Sequence, residues 1–386
     1  MILRVDNSKD ERKWLLMPKS IYKDDPNWIP HVRQDVQKVF DPKKNKRFKE
    51  GKAERWLALD GNGKPLGRIA AFIDGRTANT FEQPTGGIGF FESVDDEQVA
   101  FQLFDTAKQW LESEGMEAMD GPVNFGDKDR YWGLLVKNFE DMPSYGMNYN
   151  PPYYQGLFES YGFKVYFEQY VFGRSVKTPA QDIFIRKYQQ VTSNHDITVD
   201  DVKGLSIEQI GEDFRTVYNG AWGGHHNFKE MSSEAAQKIA KAMKPIMDRE
   251  VIIFARHEGK PIGFFVNLPE LNEIFKKAGD NLNWWGKLKF LFHKATTKHH
   301  RMVGMVFGVV REWHGKGVEG AIITWFSMNR SPVVSYKYTI MTWIGDFNPK
   351  MIRVAENLGS KRDRELYTYR YLFDREKPFE RCPIVG

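Results

Sequence analysis

The chain has 386 residues, 41% of them hydrophobic, 14% aromatic and 28% charged, with a formal net charge of +5. That length is too great for one small core and predicts two domains, while so small a charge permits anion binding without demanding nucleic acid, so DNA is not an expected partner. The single cysteine, Cys382, excludes an intrachain disulfide and a cysteine metal cluster and fits a reducing cytoplasm. The N-terminus is charged too early for a signal peptide, and no apolar run approaches the ~18 to 20 residues of a membrane span. A soluble, cytoplasmic protein, monomeric or homodimeric, is expected.

In chain order, Ile2 to Val5 reads as a short strand and Lys9 to Tyr22 as a helix, followed by the Pro-bounded turn at Pro26 and Pro30. The basic run Asp41 to Lys52 reads as a solvated loop or a phosphate-facing patch. A hairpin follows, with strands Arg55 to Leu59 and Leu66 to Ile73 around the turn Asp60 to Pro65. Gly86 to Glu92 is a strand that leads through Ser93-Val94-Asp95-Asp96 into a helix. That helix carries Val99, Phe101, Leu103, Phe104, Ala107, Trp110 and Leu111 at helical spacing and ends near Gly115. Ala118 to Val123 and Lys164 to Arg174 read as strands, with a helix Tyr153 to Ser160 between them.

Pro179 marks a plausible boundary, predicting domains 1–178 and 179–386. Beyond it come helices Ile207 to Trp222 and Ser232 to Ile246, with the loop Gly223-Gly224-His225-His226 between them. A second hairpin spans Glu250 to Ala255 and Pro261 to Val266, and a helical, basic and aromatic segment at 270–300 contains Trp284, Trp285, Phe290 and Phe292. The strand Met302 to Val310 leads into His314-Gly315-Lys316-Gly317-Val318-Glu319-Gly320 and then an apolar helix. A strand, a glycine turn and a helix start form an anion site: the first helical N–H groups have no intrahelical partner, and the dipole is positive there. Tyr338 to Ile344 and Arg364 to Leu372 complete the strands, with a helix from Asn348-Pro349 to Leu358 between them.

One pattern occurs twice. Gly63-Lys64-Pro65-Leu66-Gly67 recurs 196 residues on as Gly259-Lys260-Pro261-Ile262-Gly263, Asn150-Pro151 recurs as Asn348-Pro349, and the helix-ending Gly162 recurs as Gly359. A nearly constant offset and the same element order predict two duplicated α/β domains.

The hairpin, the His-Gly-Lys-Gly-Val-Glu-Gly turn and the run from Asn348-Pro349-Lys350-Met351 to Leu358-Gly359 resemble the GNAT superfamily of acyl-CoA N-acyltransferases, in a tandem-domain branch. The resemblance implies an α/β (α+β) fold of two GNAT-like domains, each a mixed, mostly antiparallel twisted sheet flanked by helices. It implies coenzyme A as cosubstrate, its pyrophosphate held at the glycine turn and its pantetheine arm beside a splayed strand pair. The residues implied are Val309, Val310, His314, Gly315, Lys316, Gly317, Val318 and Gly320, with Asn348. The N-terminal copy has acids instead of glycines at its turn (Asp95, Asp96, Glu97) and is expected not to bind the cofactor. The superfamily's tyrosine acid falls at Phe158 and Ala355, neither of which can protonate a thiolate.

Other residue types supply candidates for the chemistry of amide formation. His225 and His226 are candidate bases or loop histidines, and they lack further ligands at metal-like spacing, so no metal is expected. Asp346 follows a strand end where acceptors approach, and Tyr367 and Tyr369 are candidate replacement acids or core aromatics. Asn348 doubles as a helix cap. The basic segment His293 to Arg301 is a solvated face or a contact for the 3′-phosphate of coenzyme A or an acyl-carrier protein. The expected function is N-acyl transfer to a small-molecule or peptide amine. The alternatives are a non-catalytic acyl-CoA-binding protein, favoured by Glu319 and the missing tyrosines, and a tRNA-dependent aminoacyl transferase, against which the low net charge argues.

Overall fold

The computed structural model describes residues 1–80, 82–193, 196–223 and 230–385. Its first elements are β1 (Ile2–Arg4), α1 (Ser8–Leu16), α2 (Pro18–Ile21), α3 (Arg33–Val39), β2 (Gly51–Leu59), β3 (Pro65–Asp74), β4 (Thr85–Ser93), α4 (Glu97–Ser113) and β5 (Ala118–Gly121). Then come β6 (Leu134–Lys137), α5 (Tyr153–Tyr161), β7 (Lys164–Ser175), α6 (Asp182–Thr192), β8 (Ile197–Asp201), α7 (Ile207–Trp222), α8 (Ser233–Met243), β9 (Ile252–His257) and β10 (Lys260–Pro269). The chain closes with α9 (Asn272–Ala278), α10 (Trp284–Thr296), β11 (Arg301–Val309), α11 (Val318–Asn329), β12 (Tyr338–Met341), β13 (Ile344–Gly345), α12 (Pro349–Asn357) and β14 (Lys361–Leu372).

Two compact units form, and neither is one stretch of sequence. The first takes residues 1–172, 274–296 and 343–386, the second 173–273 and 297–342. This differs from a linear cut after residue 178. The reason is strand pairing: β14 runs antiparallel to β5 (Tyr369↔Gly121) and to β6 (Tyr367↔Leu134), so the last strand and its preceding helix α12 join the first unit.

In the first unit the strand order is β1-β2-β3-β4-β5-β14-β7. The β2–β3 turn closes because Gly63 takes φ 77 and Asp60 Oδ1 accepts the N–H groups of Asn62 at 2.8 Å and Lys64 at 2.9 Å. Gly259 holds the equivalent turn of the second unit at φ 79, and the helix-ending Gly162 and Gly359 take φ 105 and 73. The apolar spacing of α4 buries Val99, Ala100, Leu103, Phe104, Ala107 and Leu111 on the sheet, with Phe104 stacked on Phe91 at 4.6 Å between ring centroids. Each large side chain so buried contributes roughly 1.5–3 kcal/mol. The other face is covered by α1, whose Trp14 is fully buried and donates its indole N–H to Ile69 O at 3.3 Å. The predicted helix Lys9 to Tyr22 is divided at Pro18, which starts α2 as its first helical residue.

In the second unit the order is β8-β9-β10-β11-β12, and Gly173–Ser175 of β7 pair antiparallel with β12. Alternation along β9 serves two cores. Ile253 and Ala255 pack with Val318, Ala321 and Ile322 of α11, while Ile252 and Phe254 pack with Ile207, Ile210 and Val217 of α7. The helix α6 lies where the sequence reading placed only a boundary. Its Phe184, Tyr188 and Val191 recur at helical spacing, a pattern that follows too closely on Pro179 to stand out.

Candidate functional site

The glycine turn of the second unit is built by local chemistry. The strand β11 ends at buried Val309, and the Val310 N–H bonds Ile262 O at 2.8 Å. A single 3-10 turn, Arg311–Trp313, reverses the chain, and the His314 ring Nε2 lies 2.8 Å from Val309 O, tying the turn back to the strand. Gly315 and Gly317 take φ 74 and 87, a region costly for any other L-residue. Gly317 is the N-cap of α11 and has no side chain to accept a bond from the first helical N–H groups. The first helical bond is Ala321 N–H to Gly317 O at 2.9 Å. The N–H groups of Val318, Glu319 and Gly320 therefore have neither an intrahelical acceptor nor a capping side chain, at the positive end of the helix dipole.

The walls around this turn come from α6. A Cβ on Gly317 would lie 3.0 Å from Val191 Cγ2, and one on Gly320 would lie 3.2 Å from both Lys187 Cβ and Phe184 Cδ1. The glycine at 320 thus admits a crossing helix, whereas Gly315 faces open space. A cavity of about 310 Å³ is lined by Lys187, Gln190, Val191, Ile197, Trp313 and Gly315–Gly317, a volume at the lower end of small-ligand sites. Lys187 and Lys316 bring positive charge to it, and Lys316 Nζ sits 4.7 Å from the Trp313 ring centre. Glu319 is half-buried in the first helical turn. The side chains of Val309 and Val318 belong to the core, so these residues meet a ligand only through the main chain.

Beside the turn the sheet splits. β11 pairs in parallel with β12 from Arg301↔Tyr338 to Gly304↔Met341, and β12 then ends while β11 continues to Val309. Along that edge, from Met305, β11 has no strand partner among the described residues. The gap exposes main-chain donors and acceptors that a linear, amide-containing ligand can pair with.

The first unit repeats this geometry and closes it. β4 pairs in parallel with β5 only from Thr85↔Ala118 to Gly87↔Asp120. The helix after β4 is capped by a carboxylate: Asp96 Oδ1 accepts the N–H of Gln98 at 2.8 Å and of Val99 at 3.3 Å. Phe90 takes φ 51 within β4, where the β3 register slips. Beyond this bulge, buried Glu92 accepts the hydroxyls of Tyr22 at 2.7 Å and Tyr154 at 2.9 Å and lies 3.4 Å from an Arg68 terminal nitrogen. Burial raises the Glu92 carboxyl and the Tyr154 hydroxyl above their ordinary values, against the pull of Arg68 on the carboxyl. His31 lines the same place, and burial with the nearby Arg68 charge lowers it to about 3. The two cavities bounded by Arg68, Glu92 and His31 hold only about 30 Å³ each, room for a water or two.

The other predicted residues are spread between the units. Val309, Val310, His314–Val318 and Gly320 lie together in the second, while Asp346, Asn348 and Tyr367 belong to the first. Asn348 caps α12 by accepting the Met351 N–H at 3.2 Å. Asp346 accepts the Glu168 N–H at 3.2 Å and pairs with Arg381 at 2.6 Å, with its carboxyl raised by burial. Tyr367 sits half-buried on β14, its hydroxyl raised by burial and by Glu168 and Glu365. Tyr369 is core and donates to Glu159 at 2.9 Å. Phe158 and Ala355 are core as well. His225 and His226 fall outside the described residues. The sequence reading missed Lys187 and Gln190, and it also missed the Arg68–Glu92–Tyr154 cluster, which joins elements far apart in the chain. Tertiary folding also gathers Asp196, His257 and Glu258, whose ligand atoms lie within 4.8 Å of one another at a solvent-facing hairpin.

No family model matches the chain. It is 25% identical over 388 residues to a bacterial ceramide synthase of Caulobacter vibrioides, covering 95% of this chain and 96% of that protein. It is 23% identical over 359 residues to protein YghO of Escherichia coli, covering 92% of this chain and 91% of that one. A solved tandem GNAT protein from the clavulanic acid biosynthesis pathway superposes with a TM-score of 0.53 at 9% identity, over 98% of this chain and 99% of that chain. Parallel strands that splay beside a glycine-turned helix start, set in mostly antiparallel sheets, and a full-length structural match together show that this chain has the tandem GNAT fold.

Proposed function

We propose that the protein transfers an acyl group from acyl-CoA to an amine, with coenzyme A held in the second unit. The observation that carries this is the uncapped start of α11: three free N–H groups and two left-handed glycines bordering a cavity flanked by Lys187 and Lys316. The main-chain N–H groups of Gly317 to Gly320 would hold the pyrophosphate, the two lysines would add charge, and the open edge of β11 would pair with the amide-bearing arm. Acyl-CoA supplies a thioester carbonyl that an unprotonated amine attacks, with release of the thiolate. His225 and His226 are the residues proposed for proton transfer. The similarity along nearly the whole chain to a protein named bacterial ceramide synthase supports a narrower acceptor, the amine of a long-chain base.

Calorimetry with coenzyme A and palmitoyl-CoA, followed by mass spectrometry of sphinganine incubated with acyl-CoA, tests the reading. Binding that is lost in Gly317→Glu and weakened in the surface variant Lys316→Glu supports the site. Binding that is absent in the wild type, or unchanged in both variants, overturns it. Binding without turnover on any amine leaves the non-catalytic reading that Glu319 favours.

A further inference from the structure

The helix α10, in the first unit, shows solvent a face that a folded protein ordinarily hides. Gly286 and Phe290 are buried, and the Phe290 ring lies 5.2 Å from Phe275, so the helix is anchored along that line. On the other side Trp284 is 74% exposed, Trp285 57%, Leu288 42%, Leu291 53% and Phe292 62%. At the ~100° per residue of an α-helix these five side chains fall within an arc of about 120°. Lys287 and Lys294 border the arc on one side and Lys289 borders it on the other. From Asn281 to Thr296 the sequence contains no aspartate or glutamate.

Large aromatic and leucine side chains flanked on both sides by lysine match a helix that lies in a lipid interface. The apolar face enters the upper acyl region, tryptophan rings sit at headgroup level, and lysine stems run along the apolar surface with their ammonium groups at the phosphates. A second copy of the chain is a poorer occupant, because a two-fold contact through this face would set flanking lysines of like charge against each other. A peptide ligand would need a groove, and the face is a single convex helix. We propose that α10 is a docking surface for an anionic phospholipid bilayer. This inference stands on the helix alone and does not depend on acyl transfer.

Co-sedimentation of the full-length protein with vesicles of phosphatidylcholine alone, or mixed with phosphatidylglycerol, tests it. The protein is expected to bind the mixed vesicles, with a blue shift of tryptophan emission and weakening as salt rises. Trp284→Ala with Trp285→Ala and Phe292→Ala is expected to lower partitioning roughly ten-fold or more. Lys287→Glu with Lys289→Glu is expected to cost roughly five-fold per lysine on the mixed vesicles. All five side chains are exposed, so circular dichroism and the unfolding midpoint should match wild type. The proposal is overturned if wild type leaves anionic vesicles unbound at low salt, or if the triple variant binds as well as wild type. It is also overturned if wild type is a dimer that the triple variant dissociates without lipid, which would make the face a protein interface.

Discussion

The helix starts of α4 and α11 occupy the same place in their units, after a strand that pairs in parallel for only a few residues, and they differ in what caps them. The carboxylate of Asp96 takes up two N–H groups of α4. Gly317 has no side chain to cap α11 and leaves the N–H groups of Val318, Glu319 and Gly320 open. The volumes follow the same division: about 310 Å³ beside the open turn, and about 30 Å³ in each cavity of the sealed gap. A helix start is an anion site only while its own chain does not supply the anion. In the first unit the protein has satisfied that need internally, and a buried Arg68–Glu92–tyrosine cluster fills the space where a ligand would enter.

The strongest way to break the contrast is Gly317→Glu, which places a carboxylate at the helix start and forces a side chain onto φ 87. Coenzyme A binding should fall at least about 100-fold by calorimetry. Affinity that survives this change would show that the open N–H groups are not the site. The next effect is a pH dependence in the sealed unit. His31 is held neutral, with a folded value of about 3 against an ordinary 6.5. Its stabilising contribution is complete above the unfolded value and is lost as pH falls from 6.5 towards 3, about 2 kcal/mol by pH 5. His31→Asn should flatten the decline in unfolding free energy between pH 6.5 and 5, and a decline of wild-type slope would remove His31 from the account. Asp96→Ala should then cost about 1 kcal/mol of stability in denaturant titration without creating coenzyme A affinity, since Asp95 and Glu97 remain beside the exposed N–H groups. Affinity appearing in that variant would show that the cap alone separates the two units. Smallest is Lys316→Glu, expected to weaken binding roughly five- to ten-fold, less at high salt, with the unfolding midpoint unchanged.

Much of this contrast is legible in the residues themselves. Gly315, Gly317, Asp95 and Asp96 announce an open turn and an acidic one before any coordinates exist, because capping and left-handed backbone depend on the few residues involved. The same holds for the hairpin turns at Gly63 and Gly259 and for the helix ends at Gly162 and Gly359. The role of Gly320 was less legible. It reads as part of a phosphate loop, yet its missing side chain makes room for Phe184 and Lys187 of α6. Tyr154, which lines the sealed gap, stands at the start of its helix, and its bond to Glu92 joins residues 62 positions apart.

Sequence by itself therefore determined many of the local pieces: most of the strands and helices, though not α6 or the break at Pro18, the glycine turns that end them, and which helix start can receive an anion. The tertiary structure alone decided that β14 pairs with β5 and β6, that α6 walls the glycine turn, and that one gap is filled while the other stays open. The division has a physical cause. A cap or a turn is settled within four or five residues. Strand partners and cavity volumes depend on contacts between residues far apart in the chain, such as Arg370 with Asp120, 250 positions away, at 2.7 Å, which no local pattern encodes.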